Sequence, residues 1–293
     1  MAESLLDQAF LSRLEYLYVV TRELFTGHIS AERLSKKFGV GVEFADYRSY
    51  SAGDDFRYID WSAYARRGEL LYKLFTEEQA AQIYCVVDAS LSMSVGEPQK
   101  LHFAKKVAAA LGYIGLANLD PVTVVSFDDV LRDESRMFSG RGQLRHMLSY
   151  LEALQPRGGT SMGGAIRQFV QQFHGGGLVI LLSDFLDRPG YEEAVRLLHY
   201  HRFDLLVVQI NGRDELEPPL SADVELIDSE NGERRTLQMS PDIIRRYQAA
   251  VEEHYDELKR LCKVMRRGYV AVTTDLPFEN VIFDVFRRGG FVK

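Results

Sequence analysis

A series of short apolar runs, each followed by a stretch of helical spacing, constrains this chain more than any other feature. Ile83–Val87, Val122–Phe127, Leu178–Leu182 and Leu205–Ile210 are rich in β-branched residues and carry almost no charge. Runs of this length and composition read as strands buried on both faces, the pattern of a parallel sheet. Between them, apolar residues recur every three to four positions: Leu101, Ala104, Val107, Leu111 and Ile114; then Leu144, Met147, Leu148, Leu151 and Leu154; then Ile166, Phe169, Val170 and Phe173. Strand–helix alternation predicts an α/β fold, a doubly wound, mainly parallel sheet with helices on both faces and right-handed crossovers.

The same reading sets expectations for the flanks. Leu6, Phe10, Leu14, Leu17, Thr21 and Leu24 predict an N-terminal helix closed by Gly27. Pro98 is expected at the start of the helix after the first strand, where its missing N–H has no partner to lose. Val224, Leu226 and Leu237 alternate around Asn231-Gly232, predicting a β-hairpin. A long helix from Ser240-Pro241, a strand over Tyr269–Thr273 and a last helix from Pro277 follow. Residues 1–78 are therefore expected to form an N-terminal helix and a loop-rich segment packed on the core. Residues 79–293 form the main domain, with a hairpin and helix inserted at about 222–266.

A net charge of −7 argues against nucleic-acid binding through bulk electrostatics. The pairs Arg245-Arg246, Arg266-Arg267 and Arg287-Arg288 lack interleaved aromatics and read as solvated faces. Cys85 and Cys262 are expected as reduced core residues. With no apolar stretch long enough for a bilayer and no signal-peptide pattern, the expectation is a cytoplasmic protein without a membrane span.

Five residues carry the chemistry. Asp88, Ser90 and Ser92 form a D-x-S-x-S run at the end of the first strand, Thr160 lies in the loop Gly158-Gly159-Thr160-Ser161, and Asp184 ends a later strand. In an open α/β sheet ligands sit beyond the carboxyl ends of the strands, so the five share one sheet edge. Hard oxygen donors without His or Cys suit Mg²⁺ or Mn²⁺, with Ca²⁺ as a further candidate. The bland alternative is helix capping, by Ser92 or Ser94 after the first strand and by Thr160 or Ser161 before the later helix.

The order and placement of these residues resemble the metal-ion-dependent adhesion site of von Willebrand factor A domains. That resemblance implies a metal held by Asp88, Ser90, Ser92, Thr160 and Asp184, with a coordination position left to water. A partner's Glu or Asp replaces that water, so the site captures acidic partners and performs no chemistry. A second resemblance rests on Gly39-Val40-Gly41-Val42-Glu43-Phe44, Arg48-Ser49-Tyr50, Gly53-Asp54-Asp55, Arg57-Tyr58-Ile59-Asp60-Trp61 and Ala65-Arg66. This segment is similar to the signature of the bacterial family catalogued as domain of unknown function 58. That resemblance implies a partner or substrate adaptor of MoxR-type AAA+ ATPases. Read from its residues alone, the segment is a polar network of Arg–carboxylate pairs with Trp61 and Tyr50 buried.

Enzyme readings rank lower. Phosphoryl transfer of the haloacid dehalogenase type needs a carboxylate where Ser90 stands, and Ser does not do that proton work without an activating base. No P-loop, nucleophile elbow or zinc cluster occurs. His199 and His201, two apart on a helix, point away from each other. The expectation is a non-enzymatic recognition module without catalytic residues; the alternatives are a metal-dependent hydrolase or phosphatase, or a scaffold with a vacant metal site.

Overall fold

The computed structural model describes residues 4–33, 38–39, 43–76, 82–132, 136–216, 223–230, 232–238 and 240–288. Val40–Val42 of the signature segment and Asn231 of the hairpin turn lie outside the described residues. The chain divides into two compact units, one of Met1–Leu24 with Ala81–Lys293 and one of Phe25–Ala80.

In chain order the described elements are α1 (Gln8–Arg33), β1 (Phe38–Gly39), β2 (Glu43–Ser49), α2 (Trp61–Arg67), β3 (Leu71–Thr76), β4 (Ile83–Asp88), α3 (Lys100–Ala117), β5 (Val122–Phe127) and β6 (Arg136–Phe138). They continue with α4 (Leu144–Ala153), α5 (Met162–Gln172), β7 (Gly177–Ser183), α6 (Arg188–Tyr200), β8 (Phe203–Asn211) and α7 (Arg213–Leu216). The last are β9 (Asp223–Ile227), β10 (Arg234–Gln238), α8 (Pro241–Val264), β11 (Gly268–Thr273) and α9 (Phe278–Arg288).

Among the described residues the large unit is built on a sheet of order β11-β8-β7-β4-β5-β6. All neighbours are parallel except β5 and β6. The chain winds outward from β4 to β5 and β6 on one side, then returns to β7, β8 and β11 on the other. The strand order therefore reverses between β4 and β7, the topological switch point where α/β sheets open a crevice. On one face Tyr84, Val86, Val179, Leu181, Leu205 and Val207 pack against Ile166 and Phe169 of α5, Leu198 of α6 and Leu258 and Cys262 of α8. On the other face lies α3, with the Cys85 Sγ near the Ala108 carbonyl and Gly112 and Gly115 facing Val122. A Cβ at Gly115 would meet Ile83 Cδ1 at 2.7 Å, so Gly115 lets α3 approach the sheet. The doubly wound α/β expectation holds.

Local expectations fared unevenly. α1 runs through Gly27 to Arg33, because one helical glycine costs only about 1 kcal/mol. Its first turns bury Phe10, Leu14 and Leu17, with the Phe10 ring 5.3 Å from that of Phe278; Leu5, not Leu6, is the buried residue ahead of it. Pro98 precedes α3, which starts at Lys100, whereas Pro241 opens α8 with Ser240 accepting from the Ile243 amide. β9 and β10 pair antiparallel as a hairpin. Arg267 departs from the solvated-face reading: it is largely buried and pairs with Asp204 at 3.1 Å.

In the second unit β1, β3 and β2 form a small antiparallel sheet. Arg48 makes a bidentate fork to Asp54, both contacts at 2.6 Å, and lies over the Tyr72 ring. Asp60 caps α2 by accepting from the Ser62 and Ala63 amides and also accepts from the Tyr47 hydroxyl at 2.7 Å. The Tyr47 hydroxyl, with the Ala63 amide, lowers the Asp60 carboxyl to about 2. Trp61 is not buried as expected: as the first residue of α2 it is 57% exposed, and Ala63 is the residue that helix buries. Tyr50 is half-buried.

Candidate functional site

The switch point brings Asp88 and Asp184 together because of strand register. β4 and β7 pair Val87 with Leu182, which sets Asp88 beside Ser183 and one residue from Asp184. The Ser183 hydroxyl donates to Asp88 Oδ2 at 2.6 Å, and the Ser90 amide donates to Oδ1 at 2.9 Å. Asp88 and Ser90 are fully buried, and Ser92 nearly so. Burial, then the charge of Asp184, hold the Asp88 carboxyl well above the usual carboxylate range. Among the described residues Asp88 has no Lys, Arg or His ion pair.

After Asp88 the chain turns through a short 3-10 helix, Leu91–Ser94. Ser90 stands at its start but makes no side-chain cap; its hydroxyl lies 3.0 Å from that of Ser92. Ser94 instead donates to the Leu91 carbonyl. Ser161 precedes α5 without a side-chain cap, and Asp187 from the next loop accepts from the Met162 amide at 3.0 Å. Capping thus does not employ the hydroxyls of Ser90, Ser92 or Ser161.

The Thr160 loop is stitched to the same corner by its backbone. The Leu91 amide donates to Gly158 O at 3.1 Å and the Arg157 amide to Ala89 O at 2.9 Å. Buried Arg132 clamps the arrangement, reaching Asp128, the Ala89 carbonyl and the Gln155 carbonyl. Asp88, Ser90, Ser92 and Asp184 share one buried corner of oxygen donors, and the Thr160 loop is tied to it. The Thr160 side chain itself points to Glu230, with its hydroxyl donating to Oε1 at 2.5 Å.

Sequence reasoning missed Lys100. Its side chain is 1% exposed, and its ammonium lies 2.8 Å from Asp184 Oδ2 and in contact with Glu215. Burial works against the charge, but Asp184 and Glu215 outweigh it and raise the lysine above its ordinary value. The other Asp184 oxygen accepts from the Leu186 amide. Lys100, Glu215 and Glu230 are charged residues on elements that read as amphipathic or exposed, so no local pattern marks them.

Among the described residues no three His, Cys, Asp or Glu side chains form a metal-binding group, so a cation here would depend on the hydroxyls. The donor set fits a hard divalent ion of the Mg²⁺ type: two carboxylates, two adjacent hydroxyls bonded to each other and no soft ligand.

The family profile described as "Protein of unknown function DUF58" matches residues 46–257. The chain belongs to that family. This DUF58 chain is 23% identical over 292 residues to uncharacterized protein Rv1480 of Mycobacterium tuberculosis (strain ATCC 25618 / H37Rv), covering 97% of this chain and 92% of that protein. Among solved structures it is similar to conserved hypothetical protein BatB from Bacteroides thetaiotaomicron, with a TM-score of 0.45, 16% identity and coverage of 69% and 95% of the two chains. It also matches the vWF domain of the type V pili tip protein Mfa5 from Porphyromonas gingivalis, with a TM-score of 0.24, 15% identity and coverage of 51% and 45%. Among the described residues of this DUF58 chain no helix is long and apolar enough to cross a membrane.

Proposed function

We propose that this DUF58 protein is a cytoplasmic, non-enzymatic recognition module of the von Willebrand factor A type that binds an acidic side chain of a protein partner. A Mg²⁺-type ion would be held by Asp88, Ser90 and Ser92, with Thr160 and Asp184 completing its surroundings. When bound, it supplies an electrophilic position for a carboxylate oxygen. The partner class is a MoxR-type AAA+ ATPase or the protein substrates of one.

The observation that carries this reading is the pair of buried hydroxyls, Ser90 and Ser92, 3.0 Å apart beside buried Asp88 and not used as caps. The two hydroxyls bond to each other, and each oxygen keeps a lone pair with which a cation at this corner could be held and the carboxylate charge offset. The test is affinity capture from the native lysate in Mg²⁺ and in EDTA, beside calorimetry of Mg²⁺ binding. An AAA+ ATPase retained by the wild type only with Mg²⁺, and lost by a folded Asp88→Ala variant, is the expected result. Retained binding by Asp88→Ala refutes it.

One observation favours a second reading. The Lys100 ammonium already supplies positive charge beside Asp184. A scaffold whose lysine replaces the metal would bind the same partner in EDTA and show no heat with Mg²⁺.

A further inference from the structure

The hairpin β9–β10 ends in a turn whose described residues are tied together by hydrogen bonds to Asp228 and Glu233. The Asp228 amide donates to Glu233 O at 2.8 Å, the Gly232 amide to Asp228 O at 2.9 Å, and the Glu230 amide to Asp228 Oδ1 at 2.8 Å. Gly232 sits at φ +72°, a left-handed conformation that suits glycine. Glu230 is thus presented on a tight turn, and its carboxylate reaches a loop 70 residues away in sequence. There it takes both donors of one residue: the Thr160 hydroxyl at 2.5 Å and the Thr160 amide at 3.3 Å. Leu226 and Ile227 on the same hairpin remain 50% and 55% exposed, so their apolar packing does little to seat it.

Thr160 is the open-side member of the five-residue set. Its hydroxyl proton goes to Glu230, and its oxygen keeps its lone pairs. A carboxylate delivered by a distant turn to that residue is what an acidic partner would bring. We infer that Glu230 is the chain's own occupant of the carboxylate position, and that a partner's Asp or Glu, itself carried on a tight turn, binds by displacing the hairpin tip. The inference rests on the acidic-partner reading above and adds to it a built-in competitor and the shape of the ligand.

The test uses the full chain, wild type against Glu230→Gln and Glu230→Ala, with two measurements. Amide hydrogen exchange in EDTA reads the tether without metal: Glu230→Ala exposes the Thr160 amide and speeds its exchange, while an unchanged rate overturns the inference. Mn²⁺ then serves as the metal probe, followed by water-proton relaxation, with glutarate as the carboxylate probe. Both variants should bind Mn²⁺ and respond to glutarate at about tenfold lower concentration than wild type, the discrimination expected of one exposed, charge-assisted pair of hydrogen bonds. Mn²⁺ binding with identical glutarate curves overturns the competitor role alone. Failure of Mn²⁺ to bind any of the three overturns the metal-site reading and the inference with it.

Discussion

Removing the Lys100 charge tests the electrostatics of the site most directly. Lys100 and Asp184 are 1% and 2% exposed and 2.8 Å apart, so solvent screens them little. At an effective dielectric near 20 their gross attraction is about 6 kcal/mol, largely offset by the desolvation of both groups. Lys100→Met keeps an apolar stem in the helix and deletes the charge. It leaves Asp184 buried without its cation, which costs about 3–5 kcal/mol when one partner of a buried pair is lost. Glu215, with 26% of its side chain exposed, can turn to water and adds little.

Asp184→Asn should cost less, about 1–3 kcal/mol, because Lys100 keeps Glu215 as partner and the carboxamide oxygen of the variant side chain still accepts from the Leu186 amide. In the double variant no buried charge is stranded at this pair. Its cost should therefore fall below the sum of the singles by about 2–3 kcal/mol. The assay is urea unfolding in EDTA followed by far-ultraviolet circular dichroism, since the single tryptophan, Trp61, lies in the other unit. A Lys100→Met cost below about 1 kcal/mol, or strict additivity in the double variant, would refute the buried pair as the holder of Asp184.

Other outcomes follow from separate parts of the chain. Burial raises both thiols to about 12, so neither Cys85 nor Cys262 should react with a thiol-specific disulfide reagent at pH 8 until the protein is unfolded; prompt labelling of either contradicts the packing. Gly115→Ala should destabilise by about 1–3 kcal/mol through overpacking against Ile83 and Val122. Gly112→Ala should cost less, because the flexible Met147 thioether can move away, and thermal unfolding ranks the two. Asp60 is lowered to about 2 chiefly by the Tyr47 hydroxyl, so its contribution is complete above the ordinary carboxylate value and is lost as pH falls through about 2. Asp60→Asn keeps the helix cap but should flatten the acid limb of unfolding seen by Trp61 fluorescence; an unchanged acid limb assigns that limb to other carboxylates.

The central strands were legible because burial on both faces leaves no room for polar alternation, and β4, β5, β7 and β8 appear as nearly uninterrupted apolar runs. The candidate residues Asp88, Ser90, Ser92 and Asp184 were legible for a linked reason: polar residues directly after such runs must lie at the strand ends. Lys100 and Glu230 were not. A lysine at the first turn of a helix and a glutamate in a hairpin turn are the commonest kinds of solvated residue, and only the tertiary fold reveals that each reaches the site. The aromatic Trp61 failed in the opposite sense, because a buried position was assumed from residue type where helix geometry turns it outward. Gly27 failed because a single weak helix former does not outweigh the turns on either side of it.

The charges at the site would let one carboxylate be exchanged for another with little electrostatic cost. Among the described residues Asp184 and Glu215 share the buried cation Lys100 while Asp88, beside Asp184, has no cationic partner, so the corner carries an excess of acidic groups that favours a divalent ion. Glu230 adds a further negative group from outside, and a partner's carboxylate that replaces it leaves the total unchanged. The free energy of exchange then depends on how well each turn fits Thr160 and on the entropy of releasing the hairpin, rather than on net charge. This separates the roles of the two glutamates. Glu215, tied to buried Lys100, belongs to the fixed scaffold, and Glu215→Gln should alter stability. Glu230 is exposed, and its carboxylate is held at the tip by Thr160. Its replacement should alter affinity for carboxylates while leaving the unfolding midpoint within about 0.5 kcal/mol of wild type. Comparing the two variants in the same unfolding and glutarate-binding assays checks this division, and a reversal of their effects would assign the fixed and exchangeable roles the other way round.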